Sequence, residues 1–581
     1  MKRLIFIFIL FCVGFGTGTM PVVGESMGGL SVAGGVVPHH LLAKEIIDDF
    51  FEFIAGQEQH PETIILLSPD HFNCSATKEE NSFISVGWDK SVTELEDLST
   101  DIDLLKRLTI DNNIISDRSA VLAEFGITNL LPFIKKYLPE TKIVPILIPE
   151  SITQEEVIKL VQTIDQVSDE QTIIIASVDF SHYLPAGAAI FHDARSIRVL
   201  LNFEESEFEN IEVDSWQSLY AMRLFAKLRG SENPAIVVHK NSLDFLPCDF
   251  NSTTSYFSVV FRKGIPENNL QVETILLAGD MMLGRGIEEL MKENSIYYPF
   301  LKIVQLLRDV DVVFANLEGP IVENIEDIEE TAMDESKFNF RPEVLEALKW
   351  SRINLLSLAN NHIMDRDKEG LEETLDWLQR YQIRFIGTPL SAPVFSHSKN
   401  IKNYYFATEQ SVFLAFNRVL PFIDYQEEIN KGIQKARQSN PEKIIIVSMH
   451  WGNEYQAHSG IDERELAGKI VDAGADITIG HHPHVVWEIE MIKGKPVFYS
   501  LGNFIFDRQF LPQTREGLVI GLIISTDKLT FHLFPIKNQS GQPILMEQNE
   551  KELFLKSLAE KSNKSLRESI KKGIIELELV N

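Results

Sequence analysis

Three imidazoles stand within four residues at Gly480-His481-His482-Pro483-His484, directly after the apolar run 475–479. A buried strand ending in a tight turn that projects neutral nitrogen donors has the form of a metal site. The chain holds 15 histidines in 581 residues, so this crowding is not scatter. One histidine on an apolar segment is more often a satisfied core residue. Three beside a proline favour metal, because the turn chemistry presents them.

Further donors end apolar runs in the same half of the chain. Asp280 follows 274–278, Asn316-Leu317-Glu318 follows 312–315, and Asn360-Asn361-His362 follows 354–358. His450-Trp451-Gly452-Asn453-Glu454 follows 443–448. Each group has a plain alternative: Asp280 as a helix cap, Asn316 and Asn361 as turn residues, Glu318 as a surface charge. Five strand ends in order, each with a hard oxygen or an imidazole, are hard to explain that way. Carboxylate, amide oxygen and imidazole together are the ligand set of a two-metal hydrolytic centre. There Glu318 would bridge two divalent ions and His362 would protonate a leaving oxygen.

These residues need an open α/β sheet, whose sites gather at the carboxyl ends of its strands. Two successive blocks alternate apolar runs with helical patterns. In the first, 63–68, 142–148 and 172–177 read as buried strands, 41–54 and 154–167 as amphipathic helices, and 256–262 as a closing strand. The polar, turn-rich stretch 263–269 is the best linker. The second block runs 274–278, 312–315, 354–358, 443–448, 476–479 and 497–500 as strands, with 518–525 and 529–535 as a late antiparallel pair. The tail from Glu547, rich in Lys and Glu, reads as a solvated helix or extension.

A net charge of −30 argues against nucleic acid and against docking on anionic lipid. With 44% hydrophobic and 24% charged residues, both blocks can bury substantial cores, and the length demands more than one domain. Met1-Lys2-Arg3, an apolar stretch to Gly16 and small residues to Gly24 predict a signal peptide or N-terminal anchor over 1–24 and an exported protein. Cys12 lies in that stretch, and Cys74 and Cys248 alone make no disulfide framework.

The segments Leu277-Ala278-Gly279-Asp280-Met281-Met282-Leu283-Gly284-Arg285, Ala315-Asn316-Leu317-Glu318-Gly319-Pro320, Ala359-Asn360-Asn361-His362 and Met449-His450-Trp451-Gly452-Asn453-Glu454-Tyr455 resemble the poly-γ-glutamate capsule protein family, CapA/PgsA. So do 480–485 and Tyr499-Ser500-Leu501-Gly502-Asn503-Phe504-Ile505-Phe506. That family is similar to calcineurin-like metallophosphatases, and the likeness spans roughly 274–535. It implies that Asp280, Glu318, Asn361, His450, His482 and His484 bind two divalent metals (manganese, iron or zinc). His362 is then the acid, Arg285 holds an anionic substrate group, and His481 orients a neighbour.

In the first block, Val37-Pro38-His39-His40, Ser68-Pro69-Asp70-His71, Ser177-Val178-Asp179-Phe180-Ser181-His182-Tyr183 and Thr253-Thr254-Ser255-Tyr256-Phe257-Ser258-Val259-Val260 resemble the Memo-like family, component B of the AmmeMemoRadiSam system. That family is similar in fold to class III extradiol dioxygenases. Two departures stand out. Glu124-Phe125-Gly126-Ile127-Thr128 lacks the imidazole that the family carries after its glutamate, and Val213-Asp214-Ser215-Trp216-Gln217 lacks its Cys-Gly. Two alternatives stay open: one metal held by His39, His71 and His182 with Asp179 alongside, or imidazoles that only hydrogen-bond.

The expected architecture is therefore two α/β domains, a Memo/class III dioxygenase-like domain over 27–263 and a metallophosphatase-like αββα sandwich over 273–540. A linker over 264–272 joins them and a charged extension, 541–581, follows. The expected activity is metal-dependent phosphoester hydrolysis or a role in capsule polymer synthesis or export. The alternatives are a metal-containing scaffold that binds an anionic polymer or a membrane capsule synthase, and an iron-type redox or oxygenase module in the first block.

Overall fold

The computed structural model describes residues 31–72, 82–87, 98–111, 113–247, 250–266, 269–323, 337–387, 405–419, 426–507 and 511–579. The predicted leader 1–24 and all three cysteines lie outside them. The described chain divides into two compact units, with the division after Val272. Among the described residues no helix is long and apolar enough to cross a membrane.

The first unit is built on a nine-stranded mixed sheet. Lys142–Ile148, Thr63–Pro69, Thr172–Ser177 and Val32–Val37 form its parallel centre, and Thr253–Arg262 joins Val32–Val37 antiparallel. These strands are apolar on both faces because both are covered. Ile64, Leu66, Ile173 and Ile175 meet Phe50, Phe51 and Ile134 on one side. Ile65, Leu67, Ile174 and Ala176 meet Leu160, Leu219 and Tyr220 on the other.

Two sheets make up the second unit. In one, Arg384–Ile386, Leu355–Ser357, Val312–Leu317 and Val272–Met281 are parallel neighbours, and Glu516–Ser525 and Lys528–Gln539 extend the sheet as an antiparallel pair. In the other, Ser411–Asn417, Ile444–His450, Ile477–His481 and Lys495–Phe498 run parallel. The sheets share one core, in which Ile275, Leu277 and Phe314 pack with Phe413, Ile446, Ile479 and Phe498. Gln426–Ser439 and Ile461–Ala473 cover the outer face of the second sheet with Ile429, Ile433, Leu466 and Ile470.

The tail from Glu547 is packed against the second unit, not a solvated extension. Gln548–Lys561 buries Leu555, Leu558 and Ala559, and Ile574–Glu578 pairs antiparallel with Lys528–Gln539. The apolar stripe is one helical face wide, so the Lys and Glu residues around it dominate the composition of the segment.

Candidate functional site

Four strands of the second unit hand over a donor at or just past the carboxyl end. Asp280 is the penultimate residue of Val272–Met281, just past a register shift after Leu277. Glu318 follows Val312–Leu317, and its N–H donates to the Met281 carbonyl at 3.0 Å. His450 ends Ile444–His450, and the histidine cluster begins at the last residue of Ile477–His481. Gly480 is required there: a Cβ would collide with the Tyr499 carbonyl and Trp451 Nε1. The cluster then turns sharply, with His482 at φ 95° and His484 at φ 58°, the left-handed region that side chains avoid. Such strain persists only where the surroundings impose it, and it gathers at functional sites.

Asp280, Glu318, His450, His482 and His484 are all buried and brought together, two from one sheet and three from the other. Donor atoms of Asp280, Glu318 and His484 lie within 4.8 Å of one another, as do those of Glu318, His450 and His482. Glu318 belongs to both groups. Asn361 Oδ1 meets His450 Nε2 at 2.7 Å. Asp280 accepts from the His482 N–H at 3.1 Å and from Asn316 Nδ2 at 2.9 Å, and His481 Nδ1 lies 3.3 Å from it. Asn503 Oδ1 stands 3.0 Å from His484 Nδ1, and Asn360 bonds Asn316 and the Leu317 carbonyl. Asn316 and Asn503 thus bond candidate donors directly, and Asn360 secures Asn316.

Both Glu318 carboxylate oxygens are buried with no hydrogen-bond partner among the described residues. The nearest imidazole nitrogens, on His450 and His484, stand 3.6 and 4.0 Å away. A buried carboxylate left in that condition is costly unless a cation compensates it. Burial, with Asp280 next to it, pushes the Glu318 carboxyl well above its ordinary range. Burial would raise Asp280 too, but His481 and His484 hold it well below. Burial and the neighbouring His484 lower His482 to about 4, and burial likewise depresses His450. Both stay neutral and able to ligate. His484 goes the other way: burial is outweighed by Glu318 and Asp280, which raise it to about 9. The donor set of carboxylate, amide and imidazole fits a divalent cation.

His362 lies at the edge of this cluster. Its Nδ1 meets Asp365 Oδ2 at 2.8 Å, and its ring stacks on Phe338 at 3.9 Å. Arg285 pairs with Asp507 at 2.5 Å, and its guanidinium lies over Phe338 and Phe506 at 4.5 and 5.7 Å. Glu454 carries a donor atom within 4.8 Å of those of His482 and His484, at the exposed side of the centre. Residue-type reasoning did not single out Glu454 or Asp365. Both stand within four residues of a predicted ligand or acid, which was the signal to follow.

In the first unit, donor atoms of His39, His71 and Asp214 come within 4.8 Å of one another. Asp214 was noted in the sequence only for lacking a thiolate, yet it supplies the carboxylate. Asp179 and His182 stay outside that group. Asp179 instead accepts from the His39 backbone N–H at 3.2 Å and stands 3.5 Å from His39 Nε2. His182 lies on Phe180–Leu184 with its ring tilted against Tyr183. Glu124 accepts from the His71 N–H at 3.0 Å and meets His71 Nδ1 at 2.8 Å, and Phe125 stacks on the His71 ring at 4.2 Å. Burial lowers the His71 imidazole, but Asp214 and Glu124 outweigh it and raise His71 to about 9.

Residues 274–508 match the family of the bacterial capsule synthesis protein PGA_cap, and residues 35–221 match the family of the Memo-like protein. The capsule biosynthesis protein CapA of Bacillus anthracis is 27% identical over 292 residues, 46% of this chain and 68% of that protein. The PGA biosynthesis protein CapA of Bacillus subtilis is 28% identical over 303 residues, 49% of this chain and 77% of its own length. A MEMO1 family protein of Pyrobaculum arsenaticum is 26% identical over 256 residues, 42% of this chain and 86% of that protein. The second unit thus carries a PGA_cap region and the first a Memo-like region, each on an α/β scaffold.

Proposed function

We propose that the second unit is a dinuclear metal-dependent phosphoester hydrolase that serves the synthesis or export of an anionic, poly-γ-glutamate-like polymer outside the cytoplasm. The observation that carries this reading is Glu318, whose two buried, uncompensated oxygens belong to both ligand groups. Asp280 and His484 would complete one metal position, and Asn361, His450 and His482 the other. Divalent metal held there would supply Lewis acidity, acidifying water and offsetting charge on a phosphoryl oxygen. Asp365 fixes His362 through Nδ1 and leaves Nε2 to carry a proton to the leaving oxygen. Arg285, packed on two aromatic rings, would hold an anionic substrate group. The polymer role is supported by the likeness to the CapA capsule and PGA biosynthesis proteins, and export by the basic and apolar sequence of 1–24.

Metal content and turnover of bis-p-nitrophenyl phosphate by the full chain test the reading. The expected result is two equivalents of metal in the second unit and turnover with added manganese. His362→Ala should keep the metal and lose about 10²- to 10⁴-fold in kcat. A protein that takes up no metal and shows no turnover refutes it. Metal without turnover, with polymer binding that survives His362→Ala, favours a scaffold docked on polymer or synthase.

A second reading concerns the first unit. Two imidazoles and one carboxylate, His39, His71 and Asp214, form a set suited to one iron-type ion. Anaerobic iron reconstitution followed by oxygen uptake with catechols tests it. Iron binding without uptake leaves a metal site but removes the oxygenase role.

A further inference from the structure

The strained turn that carries His482 and His484 runs on through Val485 to Glu488 and into the strand Ile489–Ile492. Its inner side is tied to the sheet, where the Trp487 N–H donates to the Ser500 carbonyl at 3.1 Å and the Leu501 N–H to the Gly480 carbonyl at 3.0 Å. Its outer side is gripped by three consecutive residues at the end of the C-terminal helix Gln548–Lys561. Lys561 Nζ donates to the Val486 carbonyl. The Ile489 N–H donates to Ser562 Oγ at 2.9 Å, and the Asn563 N–H donates to the Ile489 carbonyl at 3.0 Å. The buried Ser562 hydroxyl passes its own proton to the Leu558 carbonyl at 2.7 Å, so it is saturated as donor and used as acceptor.

A second grip comes from the loop after His450. Trp487 Nε1 donates to the Gln456 carbonyl at 2.6 Å. The buried Glu488 carboxylate accepts from Ser459 Oγ at 2.5 Å and pairs with Arg464 at 2.7 Å. Lys561 also lies within the field of Glu488. Backbone held at φ 95° and 58° relaxes unless its flanks are over-determined. The segment supplying the outermost bonds lies beyond the 274–508 family match.

We infer that Lys561-Ser562-Asn563 is a positioning clasp that holds the His482–His484 turn in its ligating conformation, so that the C-terminal helix sets the metal affinity of the centre. This rests on the metal reading of the second unit. By linkage, metal binding must in turn steady the end of that helix.

Ser562→Ala and Lys561→Met in the full chain test the clasp. Three quantities are read: manganese affinity by competition with a chelating dye, amide exchange of the metal-free protein, and the metal-free unfolding midpoint. The expected result is an affinity loss of about 10-fold, the range for groups that orient ligands. Exchange at the 485–489 amides should rise by a similar factor, while Ile461–Ala473 amides and the midpoint barely move. In the wild type, manganese should slow exchange at residues 558–563. Faster 485–489 exchange with unchanged affinity overturns the clasp, as does an affinity loss matched by a general rise in exchange. A wild type that binds no manganese refutes the metal reading and this inference with it, whereas equal binding by wild type and variants refutes the clasp alone.

Discussion

Glu318 and His484 carry opposite penalties that metal would relieve together. Glu318→Gln removes a buried charge while keeping the shape of the side chain. It should raise the metal-free stability by about 1–3 kcal/mol at a pH above the raised range of that carboxyl, where the native side chain is ionised, and abolish metal uptake, as read by thermal denaturation and metal analysis. His484, raised to about 9 by Glu318 and Asp280, carries a proton at pH 7.5 and must shed it to ligate. Metal loading at that pH should therefore release at least one proton, seen as a dependence of calorimetric heat on buffer ionisation that His484→Asn reduces. At this scale the donors that the fold brings together were legible in the sequence, since each candidate donor follows an apolar run. The cross-links between distant loops were not. Asp214 was invisible because nothing local marks it: its partners His39 and His71 lie more than 140 residues upstream.

Strands and turns decide whether the donors meet. Gly480→Ala forces a methyl against the Tyr499 carbonyl and Trp451, and should cost about 3 kcal/mol or more, read as loss of soluble protein or a sharply lowered midpoint. His532, on Lys528–Gln539, is held neutral down to about 3 by burial and by the nearby Lys551. Its folded value lies below the ordinary 6.5. Its contribution is therefore complete above about pH 6.5 and is lost as pH falls toward 3. His532→Phe should flatten the acid limb of the stability profile between those values, measured by denaturant midpoints at stepped pH. The buried parallel strands were legible because they are continuously apolar. The C-terminal elements were not, because a single apolar stripe on a helix is swamped by its charged faces.

Among the described residues, two metal-competent sets of different make-up lie in the two separate units. Full-length protein loaded with excess manganese or iron should hold one more equivalent than Asp214→Ala, while phosphodiester turnover of that variant stays at the wild-type level; metal analysis and the turnover assay check this together. The division into two α/β units followed from the two runs of alternating apolar and amphipathic segments, whereas the two facing sheets of the second unit were expected only through the likeness to metallophosphatases, because no local pattern encodes strand order. That split has a mechanical consequence. Asp280 and His484 are carried by different sheets, and 203 residues of chain separate them. An ion shared between them would work as a removable cross-link that closes a very long loop, much as a disulfide would. Chelation should then act like reduction of a staple: the fold survives, but its lifetime against thermal inactivation and protease shortens.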